Sequence, residues 1–235
     1  MAKAFEGRHV AVTGGTGALG AAVVARLLDE AATCHVPVKH GSGPANFAHA
    51  SHDRVRIAVN VDLADAETVD AFYAGIPQLW ASIHIAGGFA MAPIDRAEAD
   101  DFSAMMDINA KTAFLCCRAA ARAMLAAHNG GRMVNVAARA ALEPRKGAGM
   151  AAYAASKAAV AAMTVALAEE LKAADILVNA VAPSTLDTSV NRAAMPKADF
   201  SKWVSLDAAA EAIVHLASPA NLVASGVVAP IYGRA

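Results

Sequence analysis

The sequence predicts a doubly wound α/β fold, with a mostly parallel, seven-stranded sheet between two layers of helices. Three observations predict it. Apolar stretches of strand length alternate with longer helical stretches from one end of the chain to the other. Of the 235 residues, 57% are hydrophobic, a share that a parallel sheet covered on both faces can absorb. The first strand runs into a glycine turn, Gly14-Gly15-Thr16-Gly17-Ala18-Leu19-Gly20, that opens an apolar helix. The length fits one domain over residues 1–235, and neither an internal repeat nor an interdomain linker is apparent.

The elements follow in order. Residues 9–13 read as the first strand, 17–30 as the first helix and 33–38 as the second strand. Residues 39–53 are polar and broken by Gly and Pro, the composition of a surface loop. His35, His40, His49 and His52 lie in or beside it, but no Cys or well-spaced acidic ligand joins them, so no metal is expected. A third strand over 54–60 ends at Asp62-Leu63; a helix over 65–73 and a fourth strand over 80–86 lead into Gly87-Gly88-Phe89. Residues 99–128 read as one long helix, with Asp100 or Asp101 as its N-cap. The fifth strand covers 131–137, followed by a loop over 138–149 and a helix over 150–173. That helix holds the longest Ala-rich run, interrupted by Lys157, and reads as a buried helix rather than a membrane span. The sixth strand, 176–181, is stopped by Pro183. Residues 184–204 have no clean period and exceed an ordinary connection, which predicts a lid or binding element. Ser205 caps a helix to 217, and a short last strand begins at 226–228.

Composition narrows the function. A net charge of -1 gives no reason to expect nucleic acid or an anionic membrane as partner. The three cysteines, Cys34, Cys116 and Cys117, form no disulfide framework, and the adjacent pair reads as small core residues. With no apolar signal core in the first eight residues, the expected location is the cytoplasm. The glycine turn is the positive signal. Gly15-x-Gly17-x-x-Gly20 has the spacing and the strand–turn–helix setting of a dinucleotide fingerprint. A pyrophosphate reaches a helix N-terminus only where no side chains block the turn and the backbone N–H groups point outward.

The chemistry lies further on. Tyr153 and Lys157 are four residues apart on a helix, so they share a face and the ammonium can lie near the phenol. A nearby positive charge favours phenolate, so the spacing predicts a Tyr153 pKa drawn down toward working pH and a general acid/base.

The glycine turn, Tyr153-Ala-Ala-Ser-Lys157, Asn109 in Asp-Ile-Asn-Ala, Val134-Asn135-Val136 and Asn179-Ala-Val-Ala-Pro183 together resemble the short-chain dehydrogenase/reductase family across the full chain. The resemblance implies a three-layer Rossmann fold and an NAD(P)(H)-dependent oxidoreductase. The activity so implied is hydride transfer to or from a C=O or C=N group of a small organic substrate. It implies Tyr153 as general acid/base, Lys157 on the nicotinamide ribose, and Asn109 holding a proton-relay water. It further implies cofactor contacts from Gly14, Thr16, Gly17, Ala18, Leu19, Gly20, Ala86, Gly87, Gly88 and Pro183. Asp62 and Leu63 would meet the adenine, and Leu186 and Thr188 the nicotinamide carboxamide and phosphates. Family members commonly assemble through the helices after the fourth and fifth strands, implying a homo-oligomer, a dimer or tetramer. The Ala-rich runs there permit close packing.

Departures from the pattern sharpen this. Ala138 stands where the family has a catalytic serine, and His84-Ile85-Ala86-Gly87 replaces Asn-Asn-Ala-Gly. An alanine cannot donate a hydrogen bond to a developing oxyanion, a contribution of about 3 kcal/mol in carbonyl chemistry. Quinonoid dihydropteridine reductase also lacks that serine while keeping Tyr-x-x-x-Lys, and the glycine turn, Ala86-Gly-Gly88, Ala140-Ala-Leu142, Gly149-Met150 and segments within 186–201 resemble it. A dihydropteridine reductase-like enzyme is therefore one alternative, and a catalytically silent dinucleotide sensor is another. For the cofactor, Val38 ends the second strand where an acidic residue would bind a ribose diol, and Lys39 follows, which favours NADP(H) over NAD(H). Phe89, Met91, Met150, Met195 and Trp203, with Ala138, are candidate substrate contacts at the carboxyl ends of strands; Arg139, Arg145 and Lys146 can give the rim a positive field.

Overall fold

A computed structural model describes residues 3–40 and 47–234. Strands β1 (His9–Thr13), β2 (Thr33–Pro37), β3 (Val55–Ala58), β4 (Leu79–His84), β5 (Gly131–Val136), β6 (Ile176–Pro183) and β7 (Val228–Ile231) form one seven-stranded sheet. Their order is β3-β2-β1-β4-β5-β6-β7, and every neighbouring pair is parallel. The chain winds outward from β1 in one direction, then from β4 in the other. The crevice between the carboxyl ends of β1 and β4 is where such a sheet can admit a ligand.

The period-two alternation of the strands sorts the core onto two faces. On one face Val10, Val12 and Ile83 pack with Val23, Val24 and Leu27 of α1 (Ala18–Asp29) and Ile213 of α8 (Leu206–Ala217). On the other, Ala11, Met133 and Val178 pack with Tyr73 of α2 (Ala66–Ala74) and Leu115 and Met124 of α4 (Thr112–Ala127). Leu171 of α6 (Ala151–Leu171) joins that second cluster. Ser205 caps α8 as its position predicts, its side chain accepting from the Ala208 N–H at 3.2 Å.

Several boundaries differ from expectation for local reasons. The 99–128 helix is interrupted: α3 (Ala99–Met105) passes through a π-helical turn, Met106–Lys111, before α4 begins. Its N-cap is Glu98, not Asp100 or Asp101; Asp101 instead accepts the Glu98 N–H at 2.9 Å from one turn inside. Pro183 does not stop the sixth strand but is its last residue, paired with Ile231. A missing N–H is tolerated at a strand end. The loop expected over 39–53 includes residues 41–46, which lie outside the described residues.

The 150–173 helix buries one face only, that of Ser156, Lys157, Val160, Ala161, Thr164, Ala168 and Leu171. Residues 151–174 are long and apolar enough to cross a membrane by length and composition alone. In the fold, this face is held against the π-helical turn and β5 through the polar contacts of Ser156, Lys157 and Thr164. The 184–204 segment is ordered as well. It forms α7 (Ser189–Ala194) and a 3-10 turn at Phe200–Lys202. Asp187 N–H donates to Val204 O at 2.8 Å and Val204 N–H to Thr185 O at 3.0 Å, closing the segment on itself.

Candidate active site

The glycine turn is a steric requirement before it is a site. Gly14 has φ +67°, and a Cβ on it would stand 2.7 Å from Ala86 N, so the ends of β1 and β4 touch. A Cβ on Gly20 would lie 2.1 Å from Gly14 O. Helix α1 begins at Ala18 with no side-chain cap and no acidic residue in its first turn. Gly17 and Ala18 are exposed, Thr16 is half-buried, and Leu19 and Gly20 are buried beneath them. The positive end of α1 therefore opens onto the crevice through bare backbone, which suits a pyrophosphate.

Across the crevice stands α6. Lys157 is buried and its Nζ donates to the Val136 carbonyl at 2.9 Å. Asn109, in the π-helical turn, binds the Gly88 backbone reciprocally: Nδ2 donates to Gly88 O at 3.0 Å, and Gly88 N–H donates to Oδ1 at 3.1 Å. Asn109 Nδ2 also reaches Ser156 Oγ at 3.2 Å, and that hydroxyl donates to Tyr153 O at 2.8 Å. A Cβ on Gly87 would fall 2.5 Å from Asn109 Oδ1 and 3.2 Å from Lys157 Nζ. Ala86-Gly87-Gly88, Asn109, Tyr153 and Lys157 are thus brought to one place. The widened turn explains why Asn109 can leave the helix surface and clamp a strand end.

The electrostatics differ from the spacing argument. Burial pushes the Tyr153 phenol up to about 12 and the Lys157 ammonium down to about 8. Desolvation disfavours both charged forms, and the ammonium is committed to a carbonyl rather than to the phenol. The expected lowering of the Tyr153 pKa by Lys157 is not found in the protein alone.

Phe89 lies edge-on to Tyr153 with ring centroids 4.9 Å apart, and remains 60% exposed on its other side. Met91 is exposed nearby, its Cε 3.9 Å from where a Gly149 Cβ would stand. Met150 is the N-cap of α6. Phe89 therefore packs on Tyr153, while Met91 and Met150 lie at the start of the same helix. Met195 closes α7 and is 40% exposed. Trp203 packs on Phe200, 4.7 Å between centroids, so its partner lies within its own segment. Leu186 bridges Val204, and Thr188 caps α7 through the Asn191 N–H at 3.1 Å, both just beyond Pro183. Ala138 is buried as the N-cap of the short α5 (Arg139–Leu142) and brings no hydroxyl. Arg139 is taken by Glu143 at 3.0 Å and stacks on Tyr232, whereas Arg145 and Lys146 are exposed.

Lys39 Nζ and Asp62 Oδ2 form an ion pair of 2.8 Å where β2 and β3 end side by side. Leu63 packs against the core beneath it.

Two features escaped the sequence reading. The Val136 carbonyl that holds Lys157 is backbone and leaves no sequence signal. Behind it runs a buried chain: Tyr73 OH to Ser82 Oγ at 2.8 Å, Ser82 Oγ to His84 Nε2 at 2.8 Å, His84 Nδ1 to Asn135 Oδ1 at 2.7 Å, and Asn135 Nδ2 to Thr164 Oγ1 at 2.9 Å. Asn135 must accept from His84 to donate to Thr164, so His84 is the neutral Nδ1–H tautomer. Burial holds its pKa down to about 4. The polar run His84…Asn135 in otherwise apolar strands is the signal that marks it.

The short chain dehydrogenase family model matches residues 8–199. An uncharacterized oxidoreductase of Mycobacterium tuberculosis is 32% identical over 190 residues, 79% of this chain and 70% of that protein. A 3beta-hydroxysteroid dehydrogenase of Mediterraneibacter gnavus is 29% identical over 191 residues, 78% of this chain and 68% of that protein. Among solved structures, a gluconate 5-dehydrogenase from Burkholderia cenocepacia in complex with NADP and tartrate superposes with a TM-score of 0.88 and 26% identity, covering 99% of this chain and 96% of that one. With the matched residues spanning both the glycine turn and the Tyr153–Lys157 helix, the chain belongs to the short chain dehydrogenase family of oxidoreductases.

Proposed function

We propose that this oxidoreductase moves a hydride between NADP(H) and the carbon of a C=O or C=N group in a small organic substrate, with Tyr153 as the proton donor and acceptor. The observation that carries the proposal is a half-buried Tyr153 and a buried Lys157 on one helix, with Lys157 beside Gly87 and Gly87-Gly88 following the strand end that packs on the bare-backbone glycine turn. The cofactor supplies or receives the hydride when bound. The remaining steps belong to this chain. The glycine turn takes the pyrophosphate on Thr16, Gly17 and Ala18, with Gly14, Leu19 and Gly20 shaping the turn beneath them. Tyr153, protonated at neutral pH because burial raises it, gives its proton to the substrate oxygen or nitrogen as the carbon accepts hydride. Lys157 has donors beyond the one spent on Val136, and these meet the ribose and stabilise the phenolate left behind. Asn109 fixes Gly88 with its side chain, so the relay water assigned to it is held by its backbone carbonyl.

NADP(H) is favoured over NAD(H) because Val38 offers no carboxylate to a ribose diol and Lys39 follows it. The NADP complex of the gluconate 5-dehydrogenase is consistent with that preference. Phe89, Met91, Met150 and Met195 make an apolar mouth for the substrate. A second reading, a dihydropteridine reductase-type reaction, is favoured by Ala138: a substrate already activated as C=N depends less on a hydroxyl donor there. The test is oxidation of NADPH and NADH with quinonoid dihydropterin and with a panel of ketones, wild type beside Tyr153→Phe. Tyrosine-dependent turnover supports the proposal. Turnover unchanged in Tyr153→Phe overturns it, and tight cofactor binding with no turnover of any acceptor favours a sensor. A homo-oligomer is also expected, since Phe114 and Leu125 of α4 and Val165 of α6 are exposed. Light scattering that returns a monomer at micromolar concentration removes that expectation.

A further inference from the structure

The Lys39–Asp62 pair is more than a solvated contact, because one partner is fixed. Asp62 Oδ1 accepts the Ala64 N–H at 3.0 Å, and its backbone carbonyl accepts the Thr68 hydroxyl at 2.8 Å and the Asp65 N–H at 3.0 Å. The carboxylate is therefore set by the start of α2, independently of Lys39. Lys39 reaches it with a flexible stem from just past β2, at a spacing of 2.8 Å. The backbones beneath are also tied, Val38 N–H to Ala58 O at 2.8 Å and Val61 N–H to Val38 O at 3.0 Å, so the two residues cannot drift apart.

Resting on the cofactor reading above, we infer that Asp62 sets the discrimination between NADPH and NADH by holding Lys39. A 2′-phosphate brought to this corner must take the ammonium from a carboxylate that does not move. NADH, with a neutral diol at the same place, does not meet that cost. The preference that Lys39 alone would confer is thereby reduced, and the reduction is removable by one isosteric change. Asp62→Asn leaves an Oδ1 to accept the Ala64 N–H while deleting the charge.

The experiment is calorimetric titration of the wild-type protein, Asp62→Asn, Lys39→Ala and the double variant with NADPH and with NADH. Both side chains are solvent-accessible, so the effect is modest: Asp62→Asn is expected to raise the NADPH/NADH affinity ratio roughly fivefold, a ratio in which any change at the adenine common to both cofactors cancels. In the Lys39→Ala background that gain disappears. The gain also shrinks at high salt, as screening predicts. An unchanged NADPH/NADH ratio in Asp62→Asn overturns the inference, and so does a gain that survives Lys39→Ala, since Asp62 would then act by direct repulsion. Failure of the wild-type protein to bind either cofactor overturns the cofactor reading instead.

Discussion

The two walls of the crevice are built on different principles. The β1–α1 wall does its work with backbone: Gly14 and Gly20 are required because a Cβ would collide with Ala86 or with Gly14 itself, and the helix end is left bare. The α6 wall does its work with side chains: Lys157 and Asn109 are buried and held by backbone partners, and Tyr153 is packed against the Phe89 ring. The first wall is intolerant of added atoms, the second of removed functional groups. Substitutions should therefore separate binding from chemistry according to the wall they touch.

Tyr153→Phe should give the largest separation. It removes one hydroxyl from the α6 wall and keeps the ring against Phe89. Turnover is expected to fall by roughly 100- to 10,000-fold, the range for loss of a positioned acid/base, while the cofactor Kd stays within about twofold. Parallel losses in binding and turnover would mean that the two walls are not independent.

The converse is Gly20→Ala. Its Cβ has backbone 2.1 Å away, so the turn must open. A destabilisation of about 3 kcal/mol is expected, read as a fall in Tm, together with a cofactor Kd weakened by more than tenfold. A variant that binds normally would place the pyrophosphate elsewhere.

These two walls were unequally legible in the sequence. Gly15-x-Gly17-x-x-Gly20 after an apolar strand is a local pattern with a local cause, and strand periodicity with Ser205 as a cap located most elements within a residue or two. The π-helical turn at Met106–Lys111 was not legible, because it depends on Asn109 meeting Gly88, 21 residues away. For the same reason spacing put Lys157 beside Tyr153 but missed that Val136 O holds the ammonium, and so misjudged the direction of the Tyr153 pKa. The order within 184–204 was hidden because Asp187–Val204 and Arg192–Asp187 contacts leave no periodic trace.

Behind the α6 wall, His84 offers a test by pH. Its folded pKa, about 4, lies below the ordinary value near 6.5, so the unfolded chain binds the proton first. The neutral-histidine contribution is complete above the unfolded value and is lost as pH falls from there toward 4. The loss is at most about 3 kcal/mol at pH 4. His84→Asn removes the titration, so a plot of Tm against pH should be flatter for the variant than for the wild type between those limits. Equal slopes would show that His84 is not the buried neutral group described. His35, also lowered to about 4, is common to both proteins and cancels in the difference.

The smallest expected effect concerns the donor that the α6 wall lacks. Ala138 has φ -158° and ψ 161°, an extended N-cap geometry that serine adopts readily. Ala138→Ser adds one oxygen at a buried position and should cost little stability, because a serine there can also cap α5. If the crevice is arranged for carbonyl substrates, the new hydroxyl meets the developing oxyanion, and kcat/KM for ketones rises by about tenfold. If the natural acceptor is an activated C=N group, turnover with quinonoid dihydropterin stays level or falls, because the added hydroxyl stabilises no charge formed in that reaction. Ketone and dihydropterin rates measured side by side in this variant therefore separate the two substrate readings. A ketone gain of that size supports the carbonyl reading, and no ketone gain together with level or falling dihydropterin turnover supports the C=N reading.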